Sequence, residues 1–187
     1  QGITANMILN GQYPGYYGYP AYVGAARGTE LTTRAINIAM GELGVKEVQP
    51  GVVNGPRIEE YQDHISYLKN EAWCASFVSW VYKQANGGTY PWGQHLARVV
   101  DIKAWAEKNN LYTKKEVTPS IAPGDIIVFL RDNASHVAIV QKVDPDGTIY
   151  TIEGNYKDQV YADVIKPNSS RYNKIDGFVH MNAWNIA

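Results

Sequence analysis

The sequence predicts an α+β domain, with helices in the first half and antiparallel strands in the second. Three observations carry that prediction. Between residues 29 and 110 apolar residues recur at spacings of three and four. After residue 120 the apolar period shortens to two, in short runs separated by turn residues. No internal repeat interrupts this order, and helices followed by strands mark the α+β class. At 187 residues the chain fits one domain with one core.

Each element has its own signal. "TELTTRAINIAMGELG" offers Thr caps, apolar Ile36, Met40 and Leu43 on one face, and Gly44 as a stop. "GPRIEEYQDHISYLK" puts Pro56 at a helix start and Ile58, Tyr61, Ile65 and Leu68 on one stripe. "CASFVSWVYKQA" continues with Val78, Val81, Tyr82 and Ala85, and "NGG" ends it. "VVDIKAWAEKNN" is a fourth, shorter helix. Then "APGDIIVFL" reads as a turn and an apolar strand. "HVAIVQKV", "DPDG" and "TIYTIEGN" read as a hairpin, and "QVYADVIK" and "DGFVHM" add two strands. The expected sheet has about five strands. Ahead of all this, residues 1–28 form an N-terminal arm or linker whose "GQYPGYYGYPAYVGAARG" is rich in Gly, Tyr and Pro. It reads as an arm lying on the domain or as an aromatic surface for a sugar or a partner. The domain proper spans residues 29–187.

Composition excludes several classes of function. With 17 basic and 18 acidic residues, the net charge of −1 gives no argument for nucleic acid or an anionic membrane. No apolar run is long enough to span a bilayer. A single cysteine rules out an intrachain disulfide and Cys-rich zinc sites. No ligand spacing for a metal appears, and "DPDG" is a hairpin turn rather than a calcium loop. No metal or cofactor is therefore expected.

That single cysteine, Cys74 in "NEAWCASFVSWVY", is either core filler or a nucleophile. It falls at a helix start, where free backbone N–H groups and the helix dipole favour the thiolate. Ala75 and Ser76 leave room for a substrate, while Phe77 and Val78 anchor the helix. A base must come from elsewhere. Of four histidines, His64 reads as solvated surface, His95 sits in a loop and His180 lies late in a strand. His136 opens an apolar strand directly after "DNAS".

Register singles out His136. If "DPDG" closes the hairpin, Val143 lies opposite Thr148, His136 opposite Asn155 and Ala138 opposite Glu153. His136, Glu153 and Asn155 then project from one side of the sheet. Glu153 is diagonal to the histidine, roughly 7–8 Å away along the backbone, within side-chain reach. A bulge would break this parity. The set has the logic of a nucleophile, a base and an orienting group. Cys74 attacks a carbonyl carbon, His136 moves the proton, and Glu153 or Asn155 holds the imidazole. The Cys74 N–H is one oxyanion donor, and Gln62 and Asn70 are candidates for a second. Trp73 and Trp92 are candidates for the substrate groove.

At these residues the sequence resembles the CHAP domain (cysteine, histidine-dependent amidohydrolase/peptidase), a papain-like family related to NlpC/P60. The resemblance rests on "WCASFVSW", "GDIIVFLRDNASHVAIVQKV" and "IEGN". It extends upstream through "IAMGELGVKEVQPGVVNGPRIEEYQ", which is similar to the lead-in of phage and bacterial lysins. It implies a papain-like fold, with the cysteine helix packed on the histidine sheet. It implies Cys74 as nucleophile, His136 as base, Glu153 as orienting residue and Asn155 as an accessory. It also implies cleavage of a peptidoglycan amide, either as an N-acetylmuramoyl-L-alanine amidase or as a stem-peptide or cross-bridge endopeptidase. Two alternatives stand beside it: an antibacterial effector of the same chemistry with an immunity partner, and an inactive wall-binding module. A monomer acting at the cell wall is expected, secreted, periplasmic or phage-associated, and joined to or lacking a wall-binding module. "DHISYLKNEAWC" departs from the acidic calcium loop of some phage members, in keeping with the absence of a required metal.

Overall fold

The structure, a computed structural model, describes residues 22–184. The tyrosine-rich tract up to residue 21 lies outside the described residues. Tyr22, Ala26 and Arg27 touch the domain: Ala26 is buried, Asn37 donates to the Tyr22 hydroxyl at 3.1 Å, and Arg27 stacks over the Trp184 ring. The packed unit therefore begins ahead of Thr29.

Helices come first. α1 spans Gly28–Gly41, α2 Pro56–Tyr61, α3 Cys74–Ala85 and α4 Val99–Lys108. Six strands follow or interleave: β1 Tyr112–Lys114, β2 Ile126–Phe129, β3 His136–Val143, β4 Ile149–Tyr156, β5 Gln159–Ile165 and β6 Ile175–Val179. A short α5, Ser170–Asn173, lies between β5 and β6. The sheet runs β1-β6-β2-β3-β4-β5, and every neighbouring pair is antiparallel. The expected α+β class holds, with six strands rather than about five. The extra strand is β1, only three residues long, which pairs with β6. Such a short edge strand has no period to read.

Of the stripe expected for α1, Met40 and Leu43 are buried, but the buried face is wider and is shifted away from Ile36. Leu31, Ala35, Ile38 and Ala39 are buried, and Ile36 only partly so. Arg27 is the N-cap and no Thr side chain caps it. The second helix is shorter than its stripe. α2 stops at Tyr61, because Asp63 (φ 56°) and His64 (φ 54°) turn left-handed, and Ser66–Leu68 form a separate 3₁₀ turn. Pro56 does start it.

α3 is buried on nearly all sides, from Cys74 through Tyr82, as befits a helix enclosed by other layers. It packs against α1 and α2 on one side and β3 and β4 on the other. The sheet itself has two covered faces. Ile126, Val128, Val137, Ile139 and Ile152 join the helix-side core. Ile127, Phe129, Ala138, Val140 and Phe178 form a second, smaller core, closed by Ile121, Ala134, Val143 and Tyr172. One core was expected. The second exists because strands buried on both faces need cover from the loops and α5.

The hairpin register departs from expectation twice, and the two departures cancel. Val143 pairs with Ile149 rather than Thr148, and the Asp144 N–H closes the loop on the Thr148 carbonyl at 2.9 Å. The loop thus holds one residue more than expected. A bulge between Val140 and Lys142 absorbs it. Val140↔Thr151 and Ile139↔Ile152, the last two pairs toward His136, are the expected ones. Beyond it, the outer edge of β5 is covered: the Gly44 N–H donates to the Val160 carbonyl at 3.1 Å and the Val160 N–H to Val45 at 2.7 Å.

The α3 helix and β4 touch most closely at Gly154. A Cβ there would stand 2.5 Å from the Cβ of Phe77. Gly154→Ala is expected to push α3 off the sheet and cost about 1–3 kcal/mol of stability, read from the urea midpoint.

Candidate active site

Cys74 is the first residue of α3, with Trp73 as N-cap and no side chain capping the helix. Its first-turn amides are thus unclaimed by a cap. Its neighbours explain its fixed position: Phe77 and Val78 are fully buried behind it. Cys74 itself is 7% exposed.

His136 opens β3. It follows a loop in which Asp132 and Asn133 adopt left-handed φ values of 54° and 63°. Its ring hydrogen-bonds Glu153, and Cys74 lies near enough to act on its charge. Nε2 stands 2.8 Å from Glu153 Oε1, which leaves Nδ1 for the thiol. Phe129 and Tyr156 flank the imidazole, with ring centroids 5.8 and 6.0 Å away.

Glu153 has no solvent exposure. Each oxygen is met. Oε1 faces His136 and Arg171 Nη2, and Oε2 accepts from Arg171 Nη1 at 2.6 Å and Thr151 Oγ1 at 2.5 Å. Arg171 also pairs with Asp163 at 2.5 Å and stacks over the Tyr156 and Phe129 rings, at 4.2 and 4.9 Å from their centroids. Burial raises the Glu153 pKa, but His136 and Arg171 outweigh it and hold the carboxyl below its ordinary range. Burial likewise lowers the pKa of His136, yet Cys74 and Glu153 raise it on balance to about 9.

The array joins two layers. Glu153 alternates with Ile152 of the helix-side core, so it faces the second core. Cys74 lies in the helix-side core. His136 links them from the end of its strand.

The remaining expected site residues separate from this array. Asn155 sits at a β4–β5 bulge with φ 54°, and Glu153 takes the imidazole nitrogen. Asn155 makes no hydrogen bond to His136. Trp73 does not line a groove: it is fully buried, its Nε1 donating to Glu47 Oε1 at 3.0 Å, with its ring against Tyr61 and Phe77. Trp92 packs on Tyr82 and Trp105 and borders a different cavity, with Leu96 and Lys108, that His136 does not line. Gln62 is buried, and its amide donates to the carbonyls of Leu68 at 2.6 Å and Glu71 at 3.2 Å, so it holds the loop before α3 instead of an oxyanion. Asn70 is exposed, and its Oδ1 accepts from the Asn54 N–H at 3.3 Å.

The other histidines belong elsewhere. His64 is exposed. His95 lies between Ser76 Oγ (3.0 Å) and the Tyr90 hydroxyl (2.9 Å), and burial holds its pKa down. His180 bridges Asp125 and Thr113 at 3.0 and 2.8 Å. Two contributors escaped the sequence reading. Thr151 shares the face of Glu153 and was reachable by the same two-residue rule. Arg171 had no sequence signal, since only the fold brings α5 beneath β4.

A cysteine at a helix start, facing a strand-borne histidine held by a carboxylate, defines the thiol-hydrolase arrangement of the papain-like class. Residues 66–155 match the family model of the CHAP domain, a stretch that contains Cys74, His136 and Glu153. The match supports a CHAP domain over these residues, and with it hydrolase chemistry. No curated protein matches the chain. Among the described residues no cluster of His, Cys, Asp and Glu is arranged to hold a metal ion.

Two measurements check the electrostatics. The folded state binds the His136 proton more tightly than the unfolded chain, whose histidine titrates at 6.5. That stabilisation is full below about pH 6.5 and is lost as pH rises through about 9. The urea midpoint should fall over this window, and His136→Gln should flatten the fall. Arg171→Met leaves a buried carboxylate with one cation fewer. It is expected to cost about 3 kcal/mol in urea denaturation at pH 7.

Proposed function

We propose that this protein hydrolyses an amide bond of peptidoglycan, with Cys74 as nucleophile, His136 as acid and base and Glu153 as orienting group. The observation that carries this reading is the juxtaposition of Cys74, at the start of a helix inside the CHAP match, with His136, whose ring is hydrogen-bonded to Glu153. His136 Nδ1 takes the thiol proton as sulfur attacks the carbonyl carbon. The oxyanion forms beside the uncapped first turn of α3, where the Cys74 N–H is a donor. Collapse breaks the C–N bond, and His136 returns the proton to the leaving amine. Water, deprotonated by His136, then releases the acyl group from sulfur. Glu153 keeps the ring in one orientation and stabilises its cationic form. Arg171 and Thr151 act one step back, by holding Glu153. The place of action is the cell wall, outside the cytoplasmic membrane.

Cys74→Ala and His136→Ala are expected to abolish muropeptide release from purified wall; Cys74→Ala should leave the thermal midpoint within a few degrees of wild type, while His136→Ala should lower it but still give a folded protein. Full activity in Cys74→Ala would end the mechanism. Glu153→Gln should lose less, about 10²-fold. Mass spectrometry of the products assigns the bond. Muramic acid freed of its peptide marks an amidase, and a new amino terminus within the peptide marks an endopeptidase.

A further inference from the structure

His136 also borders a cavity of about 370 Å³, walled by Phe129 and Tyr156 and rimmed by Ser170, Arg171 and Lys174. Its charge is one-sided. The lining includes three basic residues and no carboxylate. Arg171 is already matched by Glu153 and Asp163. Lys174 has no carboxylate within ion-pair distance among the described residues and is partly buried. A cation without a partner, beside aromatic walls, is an incomplete ion pair awaiting an anion.

We propose that this cavity is a substrate subsite in which Lys174 binds a free carboxylate of the peptide being cleaved. The proposal rests on the peptidoglycan reading above, whose stem peptides carry free carboxylates. The imidazole that lines the cavity also interacts with the thiol, so the bound carboxylate belongs to a part of the peptide near the cleaved bond. Phe129 and Tyr156 cover the aliphatic part of the same residue. Lys174 touches neither sulfur nor the reacting carbonyl; it acts on affinity and specificity.

The test separates the subsite from the reaction. A wall stem peptide and the same peptide with its carboxylates amidated are titrated into Cys74→Ala protein, with and without Lys174→Met. The free carboxylate form should bind about fivefold more tightly. Lys174→Met should remove that preference without changing affinity for the amidated peptide. Raising salt should shrink the preference. Turnover by the wild-type protein is measured alongside, where Lys174→Met should raise KM for the carboxylate peptide and change kcat less than about twofold. Equal binding of the two peptides, or a preference that survives Lys174→Met, overturns the subsite even if the wall peptide is cleaved. A Lys174-dependent preference without turnover upholds the subsite and sinks the peptidoglycan hydrolase reading.

Discussion

A carboxylate with no access to water has to be met by the protein on every side, and Glu153 is such a group. An unpaired buried charge costs several kcal/mol. Its partners come from three separate places: Thr151 on its own strand, His136 on β3 and Arg171 on α5. Meeting that carboxylate fixes the β3–β4 register, the position of α5 and the orientation of the imidazole together. Removing any one partner strands the others. The same ion cluster that steadies the second core thus aims the nitrogen that faces Cys74.

The thiol is placed by different means. α3 is held mainly by packing, enclosed by α1, α2 and the sheet, with Tyr61 and Trp73 set edge to face against Phe77 at its first turn and hydrogen bonds from Ser76, Ser79 and Tyr82 further along. Gly154 lets β4 approach Phe77 without a side chain between them. Sulfur is thereby fixed by apolar contacts and imidazole by charge, and the two meet at the end of the sheet. Trp73 belongs to this packing, which is why the residue before the cysteine serves the core and not a groove.

Parts of this were legible from periodicity. The stripe Val78, Val81, Tyr82 and Ala85 placed α3 correctly, because apolar side chains at helical spacing have one way to be buried. The hairpin pairing reached the expected register at Val140 and Ile139 through an error in the loop and an unforeseen bulge that offset it. Local patterns carry no information on such bulges, since one inserted residue changes neither composition nor average period. α2 failed for a related reason. Its stripe continued through Ile65 and Leu68, but Asp63 and His64 took left-handed backbone instead. Asn155 was read as part of a flat strand, while the bulge there gives it a backbone geometry of its own.

By itself the sequence determined the α+β order, the helix that starts at Cys74 and the strand that starts at His136, because burial periods and turn residues act over a few neighbours. It also made Glu153 the reachable carboxylate, since side chains alternate along a strand. Only the tertiary structure decided that Arg171 locks Glu153, that Gln62 and Trp73 serve the core, and that the sheet has a second buried face. Those choices depend on residues far apart in the chain meeting in space, and a charge finds its partner by proximity in three dimensions, which no local pattern encodes.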